Sequence, residues 1–324
     1  MGALLVACLA FHLAAMWPAY PLLTNAPIVS SPTETSIYVV VELGWALAAA
    51  LVLSRVSVRG GVALGAGLGA VELGFLISDL AGSLLETNSN TPGVWLAVAG
   101  LGFGLAGVLL GGSVAQLGTV QVRIPPERQP RSVLMVLVAV LAAVAFLPSW
   151  DRFTAFASRT GASVSFTQGN AFHNPAGIMA GDVVAALAAV ALPVIAAFWA
   201  PLEVGAWAIA GVFAALGSEV LSAAVQVRVG VTPALLQELT RGIGLTPAQA
   251  DALGVHFSMS LTGWWTADAA ATVALGALAL WAAVDARRPG LGQATSAETA
   301  GPLAAESHWP PPHLWPNDQP AATG

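Results

Sequence analysis

The chain has 324 residues, of which 56% are hydrophobic and only 9% are charged. Soluble domains carry roughly 25% charged residues, so this composition excludes an ordinary water-soluble domain. The net charge of −6 is spread along the chain without a basic patch, which argues against a nucleic-acid partner. A single cysteine, Cys8, excludes an internal disulfide and zinc sites built from several cysteines.

The apolar segments predict an all-α fold, a polytopic transmembrane helical bundle of about eight spans in a lipid bilayer. A spanning helix needs about 20 mostly apolar residues. By this rule the spans fall at residues 3–20, 36–54, 61–83, 94–116, 132–149, 176–199, 203–226 and 262–284. The transmembrane domain therefore covers residues 1–286, with external loops at 150–175 and 228–260. Residues 287–324 are rich in Pro, Ala and Gly and predict a disordered cytoplasmic tail.

The arginines predict the orientation of the bundle, because loops on the cytoplasmic side carry an excess of positive charge. Seven arginines lie in the loops or tail on the side of the N-terminus: Arg55, Arg59, Arg123, Arg128, Arg131, Arg287 and Arg288. The other side carries four: Arg152, Arg159, Arg228 and Arg241. Both termini are therefore expected in the cytoplasm.

Glycines four residues apart in the third and fourth spans predict closely packed helices. The pairs are Gly65 with Gly69, Gly100 with Gly104, and Gly107 with Gly111.

The two long external loops differ in their patterns. Residues 150–174 are polar and aromatic and predict a loop, whereas residues 228–259 predict a helical hairpin. Each half of that hairpin opens on a Thr-Pro pair, and Thr246 with Gln249 has the spacing of a capping box.

The strongest chemical signal is a set of carboxylates inside the predicted spans: Glu42, Glu72, Asp79, Asp182, Glu219 and Asp268. A charged side chain is costly in hydrocarbon, so each needs a partner, a proton or water. Glu72 and Asp79 are seven residues apart and share one helix face. Asp182 and Glu219 come from consecutive antiparallel spans at similar depth and are the strongest candidates. Most of these acids fall in the outer half of the bundle, which suggests an acidic vestibule open to the outside.

Three interpretations of the acids remain open. They could bind or relay a cation or proton in a transporter. They could instead pair with the outer arginines and with Ser and Thr hydroxyls, and so stabilise the bundle. In the third interpretation, paired acids act with His173 or His256 in acid–base chemistry at the outer surface.

No motif in the chain predicts a cofactor, a metal site or a catalytic residue. His12 is the one histidine in an apolar span, and it predicts a hydrogen-bonded core residue. A haem would need two axial ligands at matched depth or a Cys-x-x-Cys-His motif, and the sequence has neither.

One segment begins Phe166-Thr167-Gln168-Gly169 and continues through Asn170, His173, Asn174 and Pro175 to Gly181-Asp182. Together with Trp199-Ala200-Pro201, this segment resembles uncharacterised multi-pass membrane proteins of high-GC Gram-positive bacteria. This resemblance implies a plasma-membrane location and brings no activity or substrate.

The leading hypothesis is a non-enzymatic integral membrane protein, such as an accessory or assembly component of a cell-envelope system, with a membrane-protein partner. The alternative is a small-solute or cation/proton-coupled transporter that uses the carboxylates of the outer half. An outer-leaflet membrane enzyme is the third hypothesis.

Overall fold

A computed structural model of the chain describes residues 1–16, 32–85, 92–115, 129–167, 175–198, 200–231, 236, 239–240 and 243–286. Residues 1–285 form one compact unit. The loop residues Asn170, His173 and Asn174 and the tail at 287–324 lie outside the described residues, as do residues 17–20 of the first predicted span.

Long helices occupy each of the eight segments in which the sequence predicts a span. They are α1 (Gly2–Met16), α2 (Pro32–Leu53), α3 (Val58–Leu85), α4 (Pro92–Ala115), α5 (Gln129–Phe146), α6 (Ala176–Phe198), α7 (Leu202–Val229) and α9 (Gly263–Ala286). A short helix, α8 (Pro247–Leu253), lies between α7 and α9 in the chain. Each of these eight long helices is predominantly apolar, which is typical of a helix surrounded by lipid or by other helices.

Within the described residues, five helices are long and apolar enough to cross a membrane. These segments are Val58–Gly82, Trp95–Gly112, Ala176–Phe198, Leu202–Val229 and Gly263–Ala286. The apolar helices at Gly2–Ala15, Val39–Leu53 and Pro130–Phe146 are shorter. Five apolar helices of this kind fit a transmembrane protein.

A three-stranded antiparallel sheet departs from the expected all-α fold. Its strands are β1 (Asp151–Ala157), β2 (Ala162–Thr167) and β3 (Val255–Leu261), in the order β2-β1-β3. The loop expected at 150–174 therefore contains two strands, and residues 255–259 of the expected helical hairpin form a strand. The second helix of that hairpin is present as α8, whereas residues 232–235, 237–238 and 241–242 of its first half lie outside the described residues. The signal for β3 was present, because apolar and polar residues alternate in Val255-His256-Phe257-Ser258-Met259-Ser260-Leu261, which is the period of a half-buried strand.

The alternation gives the sheet one apolar and one polar face. In the strand register Phe153 lies opposite both Phe166 and Met259, and the two phenylalanine rings are stacked 5.8 Å apart. Phe153 is fully buried. The other face is rich in hydroxyls: Thr154, Ser163, Ser165, Thr167, Ser258 and Ser260. The apolar face is therefore the covered side of the sheet.

The sheet lies at one end of the helix bundle, which we call the sheet end. Strand β1 follows α5, β2 precedes α6, and β3 stands between α8 and α9. The end of α5, the beginning of α6, the end of α7 and the beginning of α9 therefore meet at the sheet end.

Helix α3 packs against α7, α6, α4 and α2, and glycines make its closest contacts. A Cβ at Gly69 would lie 3.2 Å from the Trp45 ring, and one at Gly104 would lie 2.8 Å from the Cys8 sulfur. The glycine pairs of α3 and α4 are thus packing positions, as predicted. At Gly67, a Cβ would overlap the carbonyl oxygen of Ala208 in α7.

Candidate functional site

The six carboxylates singled out in the sequence divide into two groups, both of which include a residue of α3. Glu42 and Glu72 join His12. Asp79, Asp182, Glu219 and Asp268, from α3, α6, α7 and α9, form a second group, which we call the sheet-end acids.

The first group surrounds the buried imidazole of His12 in α1. Its Nδ1 lies 3.2 Å from Glu42 Oε1 and 3.5 Å from Glu72 Oε1. These are ion-pair distances, although the His12–Glu42 contact lacks the geometry of a hydrogen bond. Trp45 Nε1 donates a hydrogen bond to the other oxygen of Glu72, at 2.8 Å. His12 is buried in the core, as predicted, and two helices, α2 and α3, bring a carboxylate each to it, which the sequence did not indicate.

Glycine makes room for this group. A Cβ at Gly100 in α4 would lie 2.8 Å from His12 Nε2, closer than real Cβ atoms approach a neighbour. The glycine pattern of α4 and the position of the imidazole therefore depend on each other. The sequence contains both signals, but only the packing of α1 against α4 connects them.

The sheet-end acids come together because α6, α7 and α9 begin or end near the sheet, and α3 packs against the beginning of α6 through Ser78 and Ile178. Asp182, Glu219 and Asp268 lie about 7–15 Å along their helices from that end, at the usual rise per residue. Glu219 is within electrostatic range of Asp79, Asp182 and Asp268, and Asp79 is within range of Asp182. The expected neighbourhood of Asp182 and Glu219 is thus present, with two further acids.

The exposure of the sheet-end acids decreases from Asp79 to Asp268. The side chain of Asp79 is exposed at the surface of the bundle. Asp182 and Glu219 are half-buried, and Asp268 is 0% exposed. The group therefore extends from the surface of the bundle at α3 to its interior at α9.

A hydrogen bond joins α3 to α6 at this level. The hydroxyl of Ser78 lies 2.8 Å from Asp182 Oδ1 and 2.9 Å from the Ile178 carbonyl oxygen. Because a hydroxyl has one proton, it donates to one of these two acceptors at a time. Ser78 was not among the residues singled out in the sequence.

For Asp79, Glu219 and Asp268, the described part of the chain, which leaves out Arg241, shows no ion pair with the outer arginines. Among the described residues, an ion pair joins Arg131 at the beginning of α5 to Asp285 near the end of α9. The guanidinium also stacks over Trp281, 3.8 Å from the ring centroid. This contact lies at the end of the bundle opposite the sheet, away from the sheet-end acids.

The loop residues proposed for acid–base chemistry are only partly described. His256 lies on β3 opposite Phe156, with its side chain exposed on the polar face of the sheet. The described residues include no group of three His, Cys, Asp or Glu side chains that could hold a metal ion.

The arrangement can bind positive charge, since four carboxylates gather at the sheet end and carry the same sign of charge when ionised.

Comparisons with protein-family models, with curated proteins and with solved structures gave no match, so the assignment of a function depends on this geometry.

Proposed function

We propose that the protein is a cation/proton-coupled transporter of the plasma membrane, with eight spans and both termini in the cytoplasm. The observation that carries this proposal is the convergence of Asp79, Asp182, Glu219 and Asp268 from four helices at one end of the bundle. Carboxylates inside a membrane bundle commonly mark the path of an ion or proton.

The charge of the group supports transport rather than a purely structural role. A structural carboxylate in a bundle is expected to meet a cation or enough donors to satisfy it, whereas neither carboxyl oxygen of Asp268 has a hydrogen-bond partner in the described part of the chain. Like charges within range of each other destabilise the ionised state, so the group gains from taking up a proton or a cation. The site can then exchange one for the other.

The position of the group also supports transport. The exposed side chain of Asp79 makes the group accessible from the surface of the bundle, and the excess of arginines toward the other end favours an outside location for the sheet side. The three shorter apolar helices count as spans in this proposal, because α1, α2 and α5 pack into the same bundle as the five longer ones.

The test uses the purified full-length protein in liposomes. An imposed Na⁺ gradient should drive proton movement, read with a pH-sensitive dye, several-fold faster than in protein-free liposomes. Glu219→Gln keeps the shape of the side chain and removes its charge, so it should abolish this movement. Asp251→Asn, at an exposed position on α8, is the matched control and should leave the rate unchanged.

Two results would contradict the proposal. One is a rate in the wild-type liposomes equal to that of the protein-free ones. The other is an unchanged rate in Glu219→Gln.

A second candidate is the non-enzymatic accessory component. Two observations favour it: the polar face of the sheet is exposed, and so is the edge strand β2, in which Val164 on the apolar face is 53% exposed. Strand edges pair readily with another chain. Replacing Val164 by Pro should then release a co-purifying membrane protein without changing the melting temperature by more than a few degrees. If the transporter proposal is correct, the same variant keeps its proton movement.

A further inference from the structure

Buried polar atoms without a hydrogen-bond partner lie on one face of α9. Asp268 is 0% exposed, and within the described part of the chain neither of its carboxyl oxygens has a partner. Thr272 is 1% exposed, and its Oγ1 also has no hydrogen-bond partner there. Leaving such groups unsatisfied costs free energy, so each one in a native protein requires an explanation.

The two side chains lie together because residues four apart share a helix face, with Cβ atoms about 5–6 Å apart. A hydrogen bond between them would satisfy two of the atoms, but the described geometry has none. The oxygens of Asp268 and Thr272 therefore present two adjacent acceptors with unused lone pairs.

The neighbouring helix α7 sets the environment of this pair. A Cβ at Gly276 would lie 2.9 Å from the Phe213 ring, and one at Gly217 would lie 3.9 Å from Thr272 Cγ2. One turn nearer the sheet, Trp265 Nε1 donates to the Val220 carbonyl oxygen at 3.0 Å. This antiparallel register places Asp268 beside the segment of α7 that carries Glu219, which is within electrostatic range of it.

The glycine at position 217 is important for the space around Thr272. An added Cβ at Gly217 would be in ordinary contact with the Thr272 methyl group, so glycine leaves additional space there. The side chain of Thr272 therefore lies beside a position of α7 that carries no side chain.

The chemistry of the pair selects the ligand. Carboxylate and hydroxyl oxygens are hard donors, which suit alkali and alkaline-earth cations rather than soft metals. One carboxylate balances one positive charge. A divalent ion prefers more acidic ligands, and the described residues include no group of three acidic or histidine side chains that could hold one.

We propose that Asp268 and Thr272 form a binding site for a partly dehydrated monovalent cation of the Na⁺ class, between α7 and α9. The inference rests on the proposed function, because this cation is then the one whose gradient drives proton movement. Glu219 raises the local negative potential and so the affinity of the site, without being one of its two defined ligands.

The experiment measures binding and needs no transport. The wild-type protein in detergent should bind ²²Na⁺ saturably, and NaCl should raise its melting temperature by several degrees relative to choline chloride at equal ionic strength. Ligand binding to the folded state alone produces such a shift. Choline is too large to be held by two oxygens at the coordination distances of Na⁺, so it serves as the reference cation.

Variants at the two ligands test the assignment. Asp268→Asn should lose saturable binding and the Na⁺-dependent shift in melting temperature. Thr272→Val keeps the shape and removes the hydroxyl, so it should weaken Na⁺ binding about tenfold, as for the loss of one good polar contact. Thr272→Ser restores the hydroxyl and should restore the affinity. Thr266→Val, at an exposed position on the same helix, is the matched control.

Two results would overturn the site: no saturable ²²Na⁺ binding by the wild-type protein, or equal affinity in Thr272→Val and Thr266→Val. If Asp268→Asn fails to fold, the comparison of the three threonine variants decides the question. Saturable Na⁺ binding without Na⁺-driven proton movement would retain this site and refute the proposed transport. Proton movement without Na⁺ binding at Asp268 would do the opposite.

Discussion

Replacing Gly211 by alanine should destabilise the bundle at its central contact, between α3 and α7. A Cβ at Gly211 would lie 2.6 Å from the Leu68 backbone nitrogen and would overlap the Leu64 carbonyl oxygen. Non-bonded heavy atoms ordinarily stay about 3.5 Å apart or more. Because the obstructing atoms belong to helix backbone, no side-chain rotation relieves the overlap, and the two helices must separate by about 1 Å.

The size of the effect follows from what this separation exposes. Leu68, Ile209 and Val212 are fully buried in the core that α3 and α7 share. A gap of about 0.5–1 Å loses roughly a quarter to a half of each dispersion contact that crosses it. Since only part of each side chain's contacts cross the interface, we expect a loss of about 3 kcal/mol, the upper end of the usual cost of overpacking.

The assay is equilibrium unfolding in mixed micelles, followed by tryptophan fluorescence. Gly102→Ala is the matched control, because no atom lies within 4 Å of the position of its Cβ. Alanine is also the better helix former, so this control should be neutral or slightly stabilising. Equal free energies of unfolding for the two variants would refute the claim that the close contact between α3 and α7 stabilises the bundle.

Three further predictions concern the sheet and the two ends of the bundle. Burial raises the pKa of Asp151, so its carboxyl group binds a proton more tightly in the folded state than in the unfolded state. The folded state therefore loses stability as the pH rises through about 4 and above. Asp151→Asn should remove this loss in melting curves across that range. Thr246→Ala removes the capping box of α8 and should cost about 1 kcal/mol locally, seen as about fivefold faster hydrogen exchange in that helix with an unchanged melting temperature. In a double-mutant cycle, Arg131→Gln and Asp285→Asn should show a coupling energy of about 1–3 kcal/mol, whereas strict additivity would contradict the ion pair.

Local signals located most of the helices and one cap. Proline, glycine and apolar run lengths placed each long helix within a few residues of its observed bounds. The Thr246–Gln249 spacing predicted a capping box, and both of its hydrogen bonds are present: Gln249 N donates to Thr246 Oγ1 at 3.3 Å, and Thr246 N donates to Gln249 Oε1 at 2.8 Å. Such features depend on neighbours a few residues away, so they can be predicted from sequence.

The strands were missed for two reasons: β1 and β2 are short segments of a local hairpin, and β3 pairs with β1 across a long separation. Phe153 lies opposite Met259, which is more than a hundred residues away in the chain. Short alternating segments are weak signals next to long apolar runs, and a strand becomes stable only when its partner is present.

The sequence alone determined the medium of this protein, because so few charges and such long apolar runs suit lipid rather than water. It also determined which residues are costly there, namely the carboxylates of the spans and His12. Only the tertiary structure decided which of them meet. The helix crossings bring His12 to Glu42 and Glu72 and gather four acids at the sheet end. The physical reason is that burial cost is a property of one residue, whereas a partner at 3 Å depends on how several helices pack.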